Sequence, residues 1–544
     1  MSEAVGAGGA QKGFLGWVER TGNRLPDPVF IFFYLILALV AVSVICALTG
    51  VAATHPTRVT DTGEPVVVRA VSLLAPENIQ RLWVEMPATF THFHPLGYVL
   101  VVMLGAGVAE RSGLFASAIR GAVRGAPKTM LTPLVALVAM LSNHAADAGY
   151  VVMIPLAAII FASAGRHPLA GIAAAFAGVS GGFSANVAPG QLDALLFGIT
   201  ETAYTASSID AGWSVNIAGN TYFIIALLML YLPVIWFVTD RVIEPRLGTW
   251  APGPEHAHDY GHEDDPLTAE QIRGLRMAGL AVLGVVALWA LMTLGPGTPL
   301  YLTDADFAAD GMPAAQIAEQ QWFDRLNPFF RSLVAGFLVL FLAAGWAYGA
   351  AANTINNHRD LVAMMSEAMK DMGYYLVLAF AAAHFVAMFG WSNLGLITAV
   401  HGADAIRSSG LPLPVVLGLL VILTGVLNLF VGSASAKWAL LAPVFVPMLM
   451  LLGISPEGAT AAYRVGDGAT NIITPLMVYF PLILVFAQRW QKDFGLGSLT
   501  ATMIPYSIWM LALGVALMMV WVFLGLPLGP GAPAGIELPA GVSR

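Results

Sequence analysis

The chain has almost none of what a water-soluble protein of 544 residues needs at its surface: only 11% of its residues are charged, and it contains a single cysteine. A soluble domain would carry about 25% charged residues. Cys46 has no partner within the chain, so no intrachain disulfide exists and cysteine usage says nothing about redox compartment. No basic patch or stripe interrupts the apolar runs, and with a net charge of −8 this excludes a nucleic-acid partner. What is present is apolar: 58% of residues are hydrophobic and the mean hydropathy is +0.75, which predicts an integral membrane protein embedded in a lipid bilayer.

Apolar runs long enough to cross a bilayer occur near 28–50, 95–111, 169–203, 216–239, 275–295, 329–351, 372–390, 459–488 and 504–526. The first follows Lys12, Arg20 and Arg24 but is longer than a signal-peptide core and lacks a small-residue cleavage site, so it reads as a retained helix. Two further stretches, 128–164 and 412–453, have polar centres: Ser142 to Asp147 in one, Asn428 to Lys437 in the other. These read as re-entrant hairpins, because unpaired backbone at membrane depth persists only inside protein or against a water-filled cavity.

The hairpins belong to an internal repeat. Pro155, Gly165, Pro168 and Gly178 are matched by Pro443, Gly453, Pro456 and Gly466 at one constant interval, and Leu96-Gly97-Tyr98 resembles Met372-Gly373-Tyr374. An odd number of crossings separates the copies, which inverts the second. The fold class predicted is thus all-α, nine transmembrane helices plus two re-entrant hairpins in an inverted repeat. Its segments are a cytoplasmic N-terminus 1–27, a first helix 28–50, a periplasmic loop 51–93, a first repeat 94–240, a cytoplasmic loop 241–274, linking helices in 275–351 around a periplasmic loop 296–328, a second repeat 370–526 and a periplasmic tail 527–544. With the N-terminus inside, only Arg58, Arg69, Arg81, Arg325, Arg331, Arg407 and Arg544 among the basic residues fall outside, as the positive-inside rule asks. Paired Gly/Pro-interrupted segments in corresponding halves point to the substrate site of a secondary transporter.

Ionisable groups inside spans are costly and mark functional sites. Here they are Asp147, Asp193, Lys437, Arg464 and Asp467. Arg464 and Asp467, three apart on one helix face before Gly468-Ala469-Thr470-Asn471, could neutralise each other or serve separate ligands. Sodium wants several oxygen ligands. Asn428, Asp467 and Asn471 offer such a set, and Asn143, Asp147 and Asn186 offer a weaker one in the other copy, where Val179 to Asn186 should open similarly. An anionic substrate would be held by Arg464, Lys437 and the positive ends of half-helices. Trp438 could offer a face to an aromatic ring, or, like its repeat partner Tyr150, could simply anchor packing.

Two other chemistries are weighed. Gly178-Val179-Ser180-Gly181-Gly182 matches a nucleophile-elbow pattern and Ser435 with Lys437 could form a dyad, but no strand precedes either, so a membrane-embedded serine hydrolase is a remote reading. His256, His258 and His262 lie in an acidic loop without a recognised zinc spacing.

The chain resembles the AbgT, or p-aminobenzoyl-glutamate transporter, family, within the superfamily of two-hairpin elevator-type ion transporters. Asp147 to Val152 with Ile154-Pro155-Leu156, the stretch Leu267 to Gly279, and Gly466-Asp467-Gly468-Ala469-Thr470-Asn471-Ile472-Ile473-Thr474-Pro475 carry the likeness. The resemblance implies a homodimeric carrier in a bacterial inner (plasma) membrane, with Asp193, Trp438, Pro456 and Arg464 on the substrate path and Asn428, Asp467 and Asn471 at the cation. It further implies that the protein is not an enzyme and needs no cofactor besides a coupling ion, sodium. The substrate would be p-aminobenzoyl-glutamate or a related aromatic carboxylate. Proton-driven efflux of sulfonamide-type antimetabolites is the alternative.

Overall fold

A computed structural model describes residues 27–59, 64–123, 127, 130–145, 149–209, 212–250, 267–474, 476–477 and 479–537. Asp147, Pro475, the loop histidines His256, His258 and His262, and the basic residues Lys12, Arg20, Arg24, Arg124, Lys128 and Arg544 lie outside them.

The molecule is mostly helical. We name its principal helices α1 Pro28–Thr49, α2 His94–Arg111, α3 Leu114–Val123, α4 Leu131–Leu141, α5 Ile154–Ser163, α6 Pro168–Gly181, α7 Gln191–Ser207, α8 Thr221–Val238, α9 Ala269–Thr293 and α10 Asn327–Ala351. The remainder are α11 His358–Asp371, α12 Gly373–Trp391, α13 Leu394–Ser409, α14 Leu413–Asn428, α15 Ala434–Leu451, α16 Pro456–Thr470, α17 Phe480–Trp490 and α18 Leu496–Phe523. Among the described residues, seven helices are long and apolar enough to cross a membrane, or eight if α2 and α3, bent by 64° at their junction, form one span. The nine runs read from sequence do not translate one for one. Runs 169–203 and 459–488 are each divided, the first by irregular backbone at 182–190 and the second between α16 and α17, into helices too short to cross alone.

The repeat is carried by matching elements. The sequence α2–α3, α4, α5, α6, α7, α8 is answered by α12–α13, α14, α15, α16, α17, α18. In both copies the helix after the hairpin starts with proline, whose missing N–H and fixed φ suit a first turn. It then crosses the hairpin's first arm at a glycine. A Cβ on Gly178 would lie 2.6 Å from the Ala139 side chain and 2.9 Å from the Ala136 carbonyl; one on Gly466 would lie 2.2 Å from the Val421 carbonyl. No larger residue permits so close an approach.

A frame surrounds this core. α10 packs closely against α2 at Gly105 and Gly345, where added Cβ atoms would meet Leu338 O at 2.5 Å and Ala109 Cα at 2.7 Å, and also against α9. α1 leans on α12 through Phe32 and Phe385. Between α1 and α2, Ala52–Val59 (β1) and Pro65–Arg69 (β2) form an antiparallel hairpin, and 296–328 holds short helices at Asp304–Ala309, Ala314–Glu319 and Trp322–Arg325. Among the described residues, the segments 51–93 and 296–328 thus hold secondary structure of their own.

Candidate functional site

Gly466 brings α14 and α16 together so that Asn428, the last residue of α14, meets the last turn of α16. There the expected cation ligands do assemble, but around a different cation. Lys437, in the first turn of α15, donates to Asn428 Oδ1 at 2.6 Å and to Asp467 Oδ1 at 2.5 Å. Asn428 Nδ2 donates to Asn471 Oδ1 at 2.7 Å, to Thr470 Oγ1 at 2.9 Å and to the Asp467 carbonyl at 3.0 Å, while Asn471 Nδ2 reaches Asp467 Oδ2 at 3.2 Å. Each side-chain oxygen of Asn428, Asp467 and Asn471 therefore already accepts a bond, and Lys437 and Asp467 are 1% and 2% exposed. As arranged, these residues do not fit sodium: the oxygens it needs are turned to an ammonium and to amide N–H groups. Lys437, expected to hold substrate, instead closes this group.

Arg464 and Asp467 do not neutralise each other. Arg464 Nη1 donates to Asp193 Oδ1 at 2.7 Å and Nη2 to the Phe183 carbonyl at 3.3 Å, while Asp193 Oδ2 accepts from Gly190 N at 2.8 Å at the start of α7. The ion pair thus joins the second copy to the first. Alongside it, Trp438 Nε1 donates to Thr200 Oγ1 at 3.0 Å, and Thr200 and Thr460 share a hydrogen bond of 2.8 Å. The face of Trp438 is stacked on Tyr463 with centroids 4.5 Å apart, and the indole is wholly buried. It is a packing anchor here, not an open face for a ring. Pro456 is buried as the first residue of α16, its carbonyl accepting from Thr460.

Of the weaker cation set, Asp147 lies outside the described residues. Asn186 uses its amide on backbone, donating to Met140 O and Gly182 O and accepting from Val187 N, and Asn143 Nδ2 donates to Val179 O at 3.1 Å. The helix preceding each break also runs further than the glycines suggested: α6 reaches Gly181, and α16 reaches Thr470 before a turn over Asn471–Ile473. The hydrolase reading fails on geometry, since Ser180 lies inside α6 and the Lys437 amine is committed to Asn428 and Asp467 rather than Ser435.

A cavity of about 660 Å³ lies directly in front of these groups. Both hairpin tips line it, through Asn143, Tyr150 and Phe430 to Ser435; both broken helices line it, through Phe183, Gln191, Leu192, Asn471 and Tyr479; and α12 closes it with Tyr374, Tyr375 and Leu378. Asp193, Trp438, Pro456, Arg464 and Lys437 stand behind this wall rather than in it. Tyr150 and Tyr479 stack 4.5 Å apart at 7°. Among the described residues no basic side chain lines the cavity and one acidic side chain does, Asp27, which accepts from the Tyr374 hydroxyl; positive potential comes from the starts of α7 and α15, where Gln191 and Ser433 stand. Sequence reasoning missed Gln191, Tyr375 and Tyr479 because they are uncharged and outside the polar tips. Proximity of Tyr375 to the repeated Gly-Tyr landmark was the available signal.

Comparison with known proteins agrees with this architecture. The AbgT transporter family model matches residues 13–536. The p-aminobenzoyl-glutamate transport protein of Escherichia coli (strain K12) is 36% identical over 520 residues, covering 95% of this chain and 96% of that one. Among solved structures, the YdaH transporter of Alcanivorax borkumensis superposes with a TM-score of 0.83 at 41% identity, covering 93% of this chain and all of its own. MtrF of Neisseria gonorrhoeae, described as illuminating a class of antimetabolite efflux pumps, does so with a TM-score of 0.84 at 39% identity over 95% of this chain and all of its own. On these matches the chain is a membrane transporter rather than an enzyme, and it belongs to the AbgT family.

Proposed function

We propose that the chain carries p-aminobenzoyl-glutamate or a closely related aromatic carboxylate across the membrane by alternating access, driven by an ion gradient. The observation that carries this is the cavity, walled at once by both hairpin tips, both broken helices and α12. A site shared by two repeats is where rocking of one unit against another changes access. The stacked tyrosines give an aromatic ring a surface, and the N-terminal ends of α7 and α15 favour a carboxylate. The similarity to the Escherichia coli protein supports the substrate class.

The arrangement proposed with it is nine crossings and two re-entrant hairpins in inverted repeats spanning 94–240 and 370–526, with each broken pair, α6–α7 and α16–α17, counting as one crossing. The assembly is a homodimer in a bacterial inner membrane with the N-terminus cytoplasmic. A second reading, proton-driven efflux of sulfonamide-type antimetabolites, is favoured by one specific feature: the expected sodium ligands are engaged by Lys437. The likeness to MtrF supports it.

The test is flux of labelled p-aminobenzoyl-glutamate in proteoliposomes with sodium and proton gradients imposed separately. Gradient-driven accumulation, reduced tenfold or more in Tyr479→Ala, is expected. Movement of substrate only outward and only with a proton gradient selects the efflux reading; no flux under any gradient overturns carriage of this substrate.

A further inference from the structure

We propose that Lys437 is the resident cation of the Asn428–Asp467–Asn471 group: a tethered ammonium holds the place that a free monovalent ion would otherwise take, so this site binds no sodium. The first ground is the hydrogen-bond inventory. Asn428 Oδ1 and both carboxylate oxygens of Asp467 are directed at cationic or amide N–H donors, and Asn471 Oδ1 is taken by Asn428. The ammonium also lies 5.6 Å from the centroid of the Tyr463 ring, within reach of its face.

The second ground is where each charge sits. Lys437 occupies the first turn of α15, the positive end of its helix, and Asp467 the last turn of α16, the negative end of its own. Each is placed against its own helix dipole, and among the described residues each is the ion-pair partner that offsets this for the other. Deleting the ammonium leaves a buried carboxylate at a helix C-terminus beside two amide oxygens, an arrangement that recruits a small cation.

The third ground is the other copy. The residue at the position of Lys437 is Gly149 and that at the position of Asp467 is Val179, and an added Cβ on Gly149 would lie 3.1 Å from the Val179 side chain. There the hairpin tip still bonds the helix, Asn143 Nδ2 to Val179 O as Asn428 Nδ2 to Asp467 O. Among the described residues that contact is an amide on a backbone carbonyl with no ion pair, so the Lys437–Asp467 pair adds a cation to a joint whose backbone contact is made without one.

The inference rests on the carrier reading only for its consequence, that transport does not draw on sodium at this site. Its test does not use transport. Radioactive sodium binding and thermal melting are measured on the purified full-length protein, in sodium chloride against choline chloride at equal ionic strength. Wild type is expected to bind no sodium and to melt alike in both salts. Lys437→Met is expected to melt several degrees lower in choline, to bind one sodium and to regain stability as sodium rises. Lys437→Met with Asp467→Leu should fold and lose the sodium response. Sodium binding by wild type overturns the proposal, as does a Lys437→Met protein indifferent to sodium. If Lys437→Met and Lys437→Gln fold in neither salt while the double variant folds, the vacated group cannot take a free ion and the proposal also falls. Absence of p-aminobenzoyl-glutamate flux, by contrast, counts against the carrier reading alone and leaves the binding result intact.

Discussion

The two hairpin joints share a backbone plan and differ in chemistry. In the first copy, α4 and α6 meet through Gly178, the tip amide of Asn143 caps a carbonyl, and the neighbouring contacts are apolar: Tyr150 against Phe176 and Phe176 against Phe480. In the second copy the same crossing holds Lys437 with Asp467, and Arg464, at the place of Phe176, reaches across to Asp193 of the first. Packing fixes the joint in both copies, whereas among the described residues ion pairs are found at the second alone. Those ion pairs stand on the second hairpin and its helix, with α7 of the first copy supplying Asp193 as a partner.

The sharpest way to break the comparison is to make the second joint resemble the first. Asp467→Leu alone strands a buried ammonium and should cost about 3–5 kcal/mol. Adding Lys437→Met should return most of that, since no buried charge is then left unpaired. Denaturation of the single and double variants measures the coupling; additive losses would mean that the two side chains act independently.

A smaller effect separates the glycine crossings. Alanine at Gly466 meets the backbone carbonyl of Val421 and the hydroxyl of Thr424, both 2.2 Å from the added Cβ, whereas alanine at Gly178 first meets the methyl of Ala139 at 2.6 Å. Overpacking of this kind costs about 1–3 kcal/mol, and Gly466→Ala should lie at the upper end with Gly178→Ala below it. Equal melting points for the two variants would show that the joints are equally tight.

Much of this plan was legible in the sequence because it is local. Proline and glycine landmarks mark hairpin turns and helix starts wherever they occur, and Asn428, Asp467 and Asn471 stand at the ends of the segments that bring them together. What was not legible is pairing across the fold. Spacing placed Arg464 and Asp467 on one helix face and left open whether they pair or serve separate ligands; their partners come from α7 and α15, which no periodicity connects to α16. The amphipathic helices α3 and α11 were missed because a search for span-length apolar runs passes over them. The cavity wall was missed because it is built of tyrosine, glutamine and serine, residues that carry no charge signal and gain meaning only when two broken helices face each other.

The smallest expected effect concerns the caps of the two matching helices. α16 is capped by Ser455, whose hydroxyl accepts from Gly458 N at 3.2 Å; α6 is capped by His167, in the turn before it, whose Nδ1 accepts from Leu169 N at 3.3 Å. A protonated imidazole has no acceptor to offer, so only the first copy's cap titrates. Burial holds the His167 pKa below its ordinary 6.5, with Glu244 pulling the other way. A depressed folded-state pKa means that the unfolded chain takes up protons more readily, so the contribution of this cap is complete above pH 6.5 and declines as pH falls below it. Caps of this sort are worth about 0.5–2 kcal/mol. His167→Ser should therefore melt with less pH dependence between 7 and 5 than wild type, and Ser455→Ala should lower stability by the same amount at both pH values. A His167→Ser profile superimposable on wild type would place the acid sensitivity elsewhere and leave the two caps equivalent.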